Sequence, residues 1–137
     1  MKPTSSPIRE GESREHRYAI TPAVYEQFLT AFGDTNRLHT DDSFAQSSGF
    51  PARVMHGTIL NGFISHFIGV HFPGDASVLH SVHIQFKSPC HLGDEILIQA
   101  TVTHFSGAVG VITLDMNLTD VTRARLAAKA KVQVGLP

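Results

Sequence analysis

The most apolar part of the chain reads HGTILNGFISHFIGV at residues 56–70. Large apolar side chains recur there at helical spacing on nearly every side of the predicted helix: Ile59, Leu60, Phe63, Ile64, Phe67 and Ile68. A helix that is apolar around most of its circumference is normally buried. Gly69 and the Pro73-Gly74 pair then end it. The stretch is shorter than the roughly 18 apolar residues of a membrane span, so it predicts a long helix at the centre of a folded core.

Downstream of this helix, the apolar period changes to two. Four series of alternating apolar and polar residues lie within residues 81–86, 96–102, 112–118 and 126–134. Each series has one face to bury and one to expose, as antiparallel strands do. The short turns between the series predict a meander.

Upstream of the central helix, Thr21 and Pro22 predict the start of an amphipathic helix, and Gly33 predicts its end. A second short helix is expected over roughly residues 41–47. Helices followed by antiparallel strands are typical of an α+β fold, in which we expect the sheet to curl around the central helix. Such a sheet leaves an edge strand that a second copy of the chain can cover, so we expect a dimer.

The composition fits one domain in a chain of 137 residues, with a polar tail at residues 1–15 and the domain over residues 16–137. Eleven basic and twelve acidic residues give a net charge of −1. That balance argues against nucleic acid as the main partner, because phosphate binding normally needs a basic excess. A single cysteine, Cys90, provides no disulfide framework. The N-terminal residues lack the apolar run of a signal peptide, so we expect a cytoplasmic protein without a membrane segment.

Candidate catalytic residues follow Gly33, at Asp34 and His39. Because Gly33 ends the helix, we expect both side chains on an irregular loop, where they can converge on one water molecule. A carboxylate and an imidazole that share a proton transfer typically contribute roughly 10²–10⁴-fold to a rate. His39 also precedes a predicted helix N-terminus, whose dipole disfavours protonation, so the hypothesis is a neutral His39 that accepts the proton, with Asp34 ionised or shuttling the proton. The alternative is that Asp34 and Asn36 form an ordinary turn and that His39 only leads into the helix.

Two further positions are candidates for the same site. His56-Gly57 opens the central helix, where unpaired backbone N–H groups can hold an anion and a glycine lets a carbonyl group approach closely. Such a donor is what an oxyanion hole needs, whereas the alternative for Gly57 is a simple hinge. Ser65 is a polar residue in an otherwise apolar helix, and its alternative is a hydroxyl bonded to the preceding turn. The chain has nine histidines. Neither His66 and His71 nor His80 and His83 have the spacing of a helical metal site, so no metal site is expected.

Several motifs together resemble a known family. The segment from Asp34 to His39 is similar to the Asp-x-Asn-Pro-x-His signature of (R)-specific enoyl-CoA hydratases of the MaoC-like hot-dog family. Further motifs agree with that family in order and spacing, across roughly residues 16–136: His56-Gly57 before the apolar helix, Phe72-Pro73-Gly74, Ile84-Gln85-Phe86-Lys87-Ser88-Pro89 and Gly93-Asp94-Glu95. Several motifs in order are far more specific than any one of them.

The resemblance implies a hot-dog fold, in which a curled antiparallel sheet wraps a long central helix, usually in a homodimer. It implies that Asp34 and His39 activate a water that adds to C3 of a trans-2-enoyl thioester and gives the (R)-3-hydroxyacyl product. By the same resemblance the Gly57 N–H polarises the thioester carbonyl, and Asn36, His56 and Ser65 take supporting roles. No cofactor and no metal are implied, since coenzyme A or an acyl-carrier protein brings the substrate.

Two other interpretations stay open. A hot-dog thioesterase would bind the same acyl thioesters, but many such enzymes use a carboxylate on the central helix, and residues 57–72 contain no Asp or Glu. The other is a non-catalytic acyl-thioester-binding module. Arg37 keeps it open, because it stands where the signature has proline and the loop loses a fixed φ. One alternative is that Arg37 reaches an anionic part of the substrate, but we expect it to be solvated or paired with Asp41 or Asp42.

Overall fold

A computed structural model describes residues 7–137, so most of the predicted tail but not residues 1–6 can be compared with it. The elements follow one another as β1 (Ser13–Ala19), α1 (Pro22–Phe32), α2 (Arg37–Thr40), α3 (Asp42–Ser47), α4 (Ile59–His66), a π-helical turn (Phe67–His71), β2 (Val78–Phe86), β3 (Glu95–Ser106), β4 (Val111–Asp120) and β5 (Arg125–Gly135). The five strands form one antiparallel sheet in the order β1-β3-β4-β5-β2. Within the described residues, no helix is long and apolar enough to cross a membrane.

The strand pairing corrects the predicted meander. Strands β3, β4 and β5 pair in sequence order, as predicted, but β2 pairs with β5 and does not lie beside β3. Alternation shows which face of a strand is buried, and it carries no information about which strand is the neighbour. The place that β2 was expected to take beside β3 is occupied by β1.

Strand β1 was not predicted, and it starts inside the segment that we expected to be a tail. It pairs with β3 from Ser13 opposite Thr101 to Ala19 opposite Glu95. Ahead of it, the Gly11 N–H donates to the Val102 carbonyl at 2.8 Å. The sequence does not predict this strand because an edge strand buries few side chains. Most side chains of β1 are exposed, so they show little apolar alternation.

The central helix and the sheet form one core. Apolar side chains of α4 and its π-helical extension are buried, and they face the inward residues of β3, β4 and β5, such as Ile98, Leu114 and Val132. Each large side chain that is fully buried contributes about 1.5–3 kcal/mol of transfer free energy. The prediction of a central buried helix is therefore confirmed, with the correction that only Ile59–His66 is α-helical and the rest continues as the π-helical turn.

The helices before α4 begin and end where capping chemistry allows. Thr21 Oγ1 accepts the Val24 N–H at 3.1 Å, and Gly33 takes a left-handed φ of 64° while its N–H donates to the Leu29 carbonyl. This left-handed turn, which glycine adopts without steric cost, directs the chain away from the axis of α1. Asp34 therefore stands just beyond a rigid helix end.

A buried acidic pair connects the start of β3 with the end of β4. Asp94 and Asp120 are 2% and 0% exposed, and Arg123 Nε donates to Asp94 Oδ2 at 2.9 Å. Burial, followed by the hydrogen bond with Asp94, raises the pKa of Asp120 to about 6. Burial also acts to raise the pKa of Asp94, but hydrogen bonds with Asp120, the His91 N–H and Arg123 outweigh it and lower that pKa. The pair therefore holds a proton on Asp120 below about pH 6.

Candidate active site

Asp34 and His39 lie close together at the end of α1. One potential ligand atom from each of Asp34, His39 and His56 lies within 4.8 Å of the other two. The Asp34 side chain is exposed and accepts the Asn36 N–H at 3.3 Å, so the loop bends back on itself. The predicted convergence of the carboxylate and the imidazole is thus present in the structure.

His39 differs from its predicted position in one respect. It belongs to the single helical turn α2 and does not lie on an irregular loop ahead of a helix. The turn forms because Asn36 Oδ1 accepts the Leu38 N–H at 2.9 Å and caps it. Asn36 therefore has a structural role at the site, because it caps the helical turn that carries His39.

Hydrogen bonds fix both the tautomer and the orientation of the His39 ring. Nδ1 lies 2.7 Å from the carbonyl oxygen of Val54. A carbonyl can only accept, so Nδ1 carries the hydrogen and Nε2 of the neutral ring is left with a free lone pair. This contact leaves Nε2 as the ring nitrogen that can accept a proton. The Tyr25 hydroxyl also donates to the His39 carbonyl at 2.6 Å and holds the backbone in place.

His56 packs directly on the catalytic candidates. Its ring centroid lies 4.0 Å from that of His39 and 4.8 Å from that of Phe28. Nε2 donates to the backbone carbonyl of Asp34 over 2.9 Å, whereas Nδ1 has no hydrogen-bond partner within residues 7–137. The residue is 2% exposed, so it connects the Asp34 loop to the start of the central helix from inside the core.

Gly57 presents a free backbone donor beside an aromatic ring. Its N–H donates to no acceptor among residues 7–137. A Cβ atom at this position would lie 3.0 Å from Cε1 of Phe86. This distance is shorter than nine in ten of the contacts that Cβ atoms make in proteins. Phe86 is 52% exposed, so the ring beside Gly57 also faces solvent. The sequence placed Phe86 in a strand and in one of the family motifs, and neither pattern reveals that its ring lies against Gly57.

The sequence is similar to those of a known protein family. The sequence model of a family described as MaoC like domain matches residues 4–123. The chain belongs to this family. An (R)-specific enoyl-CoA hydratase from Rhodospirillum rubrum is 28% identical over 127 residues, which span 93% of this chain and 88% of that protein. One from Aeromonas caviae is 31% identical over 110 residues, which span 80% and 81%.

Solved structures agree with this assignment. The (R)-hydratase from A. caviae involved in PHA biosynthesis superposes with a TM-score of 0.88 at 26% identity, over 97% of this chain and 100% of that one. A protein from Archaeoglobus fulgidus gives a TM-score of 0.87 at 24% identity, over 100% and 86%. The curled five-stranded antiparallel sheet is the hot-dog fold of MaoC-like proteins, so the predicted fold class is confirmed.

Two sequence candidates lie outside the cluster of this MaoC-like domain. Ser65 is exposed on α4, and its hydroxyl makes no hydrogen bond with any described residue, neither with the catalytic candidates nor with the preceding turn. Arg37 lies 3.7 Å from Asp41 and its guanidinium stacks 4.2 Å from the ring centroid of Phe44. The expectation of a locally paired arginine is confirmed for Asp41.

Proposed function

We propose that this MaoC-like protein reversibly hydrates trans-2-enoyl thioesters to (R)-3-hydroxyacyl thioesters. The observation that carries the proposal is the convergence of an exposed carboxylate, Asp34, with an imidazole whose Nε2 lone pair is free, on His39. The similar proteins from R. rubrum and A. caviae are named (R)-specific enoyl-CoA hydratases, which supports the same reaction class here. The enzyme is then a hydro-lyase.

The chemistry divides among three groups. Asp34 and Nε2 of His39 hold one water between them, and they take up a proton as the water oxygen forms a bond with C3 of the enoyl group. The electron pair of the C2–C3 double bond moves toward the thioester carbonyl, and the Gly57 N–H stabilises the developing enolate oxygen. The proton is then delivered to C2, so one water is added in total and no oxidant or reductant is needed. Dehydration is the reverse sequence.

The proposal extends to substrate and assembly. The acyl group is carried by coenzyme A or by an acyl-carrier protein, and the hydration step itself uses no cofactor or metal. The exposed edge strand β2, with Val78 58% exposed, is covered by a second copy of the chain in a homodimer. A cytoplasmic location stays a prediction from the sequence.

One assay separates hydration from the alternatives. Crotonyl-CoA loses the absorbance of its conjugated thioester when water adds to it, and thiol release is followed in parallel with a thiol reagent. The proposal predicts loss of absorbance without thiol release. Thiol release would instead indicate a thioesterase, and binding without either signal would indicate a non-catalytic binding module. No carboxylate lies on α4, where a hot-dog thioesterase commonly has one.

A further inference from the structure

Three side chains at the site together resemble a metal-ligand set. Potential ligand atoms of Asp34, His39 and His56 lie within 4.8 Å of one another. Two imidazoles and one carboxylate are a frequent donor set for first-row transition metals such as Zn²⁺. Mg²⁺ and Ca²⁺ favour sites made mainly of oxygen ligands, so they fit this set poorly.

The hydrogen bonds of the two histidines strengthen this interpretation. In each ring, one nitrogen is held by a backbone carbonyl: Nδ1 of His39 by Val54, and Nε2 of His56 by Asp34. In metal sites, ligating histidines usually donate their second ring nitrogen to a carbonyl or carboxylate in this way, which fixes the tautomer and leaves a lone pair for the metal. The remaining nitrogen of His56, Nδ1, is buried and has no partner among the described residues.

The charge balance of the cluster also suits a divalent cation. Asp34 brings one exposed carboxylate group to the two imidazoles. A single carboxylate charge would offset half of the charge of a Zn²⁺ ion. The Asn36 N–H occupies Oδ1 of Asp34 only, so the second carboxylate oxygen is available.

We propose that Asp34, His39 and His56 bind one divalent transition-metal ion, represented by Zn²⁺, in the substrate-free protein, and that the ion inhibits the enzyme. The ion would occupy the space between Asp34 and His39, which the proposed hydration assigns to water. Metal binding itself rests only on the three side chains, whereas the inhibition rests on the proposed function. Binding and hydration are therefore measured separately.

The binding experiment uses the full chain after treatment with a chelator and its removal. Isothermal titration with ZnCl₂ is expected to give one ion per chain, and Asp34→Asn is expected to weaken binding at least about tenfold, since even the loss of a group that supports a ligand costs 10–100-fold. His56→Gln is expected to weaken it similarly. Asp34 is exposed, so Asp34→Asn decides the matter even where the buried His56 variant fails to fold.

A second histidine cluster supplies the control. His16 stacks on His71 with ring centroids 3.8 Å apart, and His66 lies 5.2 Å from His71. These rings are the competing place for adventitious zinc, and His71→Gln removes the central one. The proposal expects His71→Gln to leave the affinity unchanged. Absence of binding, binding that Asp34→Asn does not weaken, or binding that His71→Gln abolishes would each overturn it.

The inhibition experiment distinguishes this inference from the proposed function. Hydration of crotonyl-CoA is first measured with a chelator present, and Zn²⁺ is then added. A lowered kcat is expected, because the ion would take the place of the attacking water and not that of the acyl thioester. If zinc binds to the cluster and hydration is not inhibited, the ion does not occupy the place of the attacking water, and this part of the proposal is overturned. A chain that binds zinc through Asp34 but never hydrates crotonyl-CoA would refute the function and keep the metal site.

Discussion

At the scale of single residues, the site depends on what holds His39 and what surrounds Gly57. The Val54 carbonyl decides which nitrogen of His39 is free, and the Tyr25 hydroxyl holds the backbone of the same residue. The pairing of Asp34 with His39 was predictable, because a glycine helix stop followed by these two residue types is visible in the sequence. The close packing of His56 and Phe86 was not predictable, since each comes from a distant segment and neither spacing nor alternation records the contact.

Tyr25→Phe tests how strongly the backbone of His39 must be held. The substitution removes the donor to a partly buried carbonyl, so the free energy of unfolding should fall by about 1–2 kcal/mol. We expect kcat to fall several-fold, because the His39 ring loses part of its support. Urea denaturation and steady-state kinetics measure the two effects.

Tyr18→Phe is the matched control for that experiment. It also removes a tyrosine hydroxyl that hydrogen-bonds, in this case with Nδ1 of His66 at 3.0 Å, but none of the catalytic candidates takes part. Its kcat should equal that of the wild type. Equal losses of kcat in the two variants would show that Tyr25 has no particular role at the site.

Gly57→Ala tests the contact between the proposed oxyanion donor and Phe86. The added Cβ would press on the Phe86 ring at 3.0 Å and displace the ring or the donor. We expect kcat/KM to fall about tenfold or more, approaching the roughly 10²–10³-fold that the loss of such a donor costs. Adding Phe86→Ala should restore part of the activity. Strictly additive effects in this double-mutant cycle would exclude the contact as the cause.

At the scale of elements, apolar periodicity identified the segments and left their partners undetermined. The central helix and strands β3, β4 and β5 were predictable because each buries a continuous face. Strand β1 was missed because an edge strand buries little, and α2 was missed because a single turn capped by Asn36 has no periodicity. The pairing of β2 with β5 depends on how the chain passes around α4, which no local pattern encodes.

The exposed edge at β2 gives a prediction about assembly. If a second copy covers this edge, light scattering after gel filtration should give twice the mass of one chain. Val78→Lys should shift the protein toward monomers, because a lysine on an edge strand opposes pairing with another edge. Val109→Lys is the control, since Val109 is also exposed but lies in the turn between β3 and β4. A monomeric wild type, or a dimer unchanged by Val78→Lys, would contradict this assembly.

At the scale of the whole molecule, one buried proton links stability to pH. The pKa of Asp120 in the folded chain is about 6, above the ordinary value of about 3.9 for an unfolded chain. Between these values the folded chain binds more protons than the unfolded chain, so the contribution of Asp120 to stability is lost as pH rises through about 6. The buried pair thus holds the ends of β3 and β4 together best in mildly acidic solution.

Asp120→Asn tests this linkage, because asparagine keeps a donor toward Asp94 and does not titrate. Relative to the wild type, the variant should gain about 1 kcal/mol of unfolding free energy between about pH 5 and about pH 7.5. Urea denaturation of both proteins at the two pH values measures the difference. A difference between the proteins that is the same at both pH values would contradict a raised pKa of Asp120.

The most direct measurement of the central claim is the turnover of Asp34→Asn with crotonyl-CoA, with Asp115→Asn as control. Asp115 is an exposed carboxylate that pairs with Lys131 on the sheet, so its loss should leave turnover unchanged. If Asp34 and His39 together activate water, Asp34→Asn should lower turnover by roughly 10²-fold or more while circular dichroism stays that of the wild type. A folded Asp34→Asn protein that hydrates crotonyl-CoA as fast as the control would contradict the account.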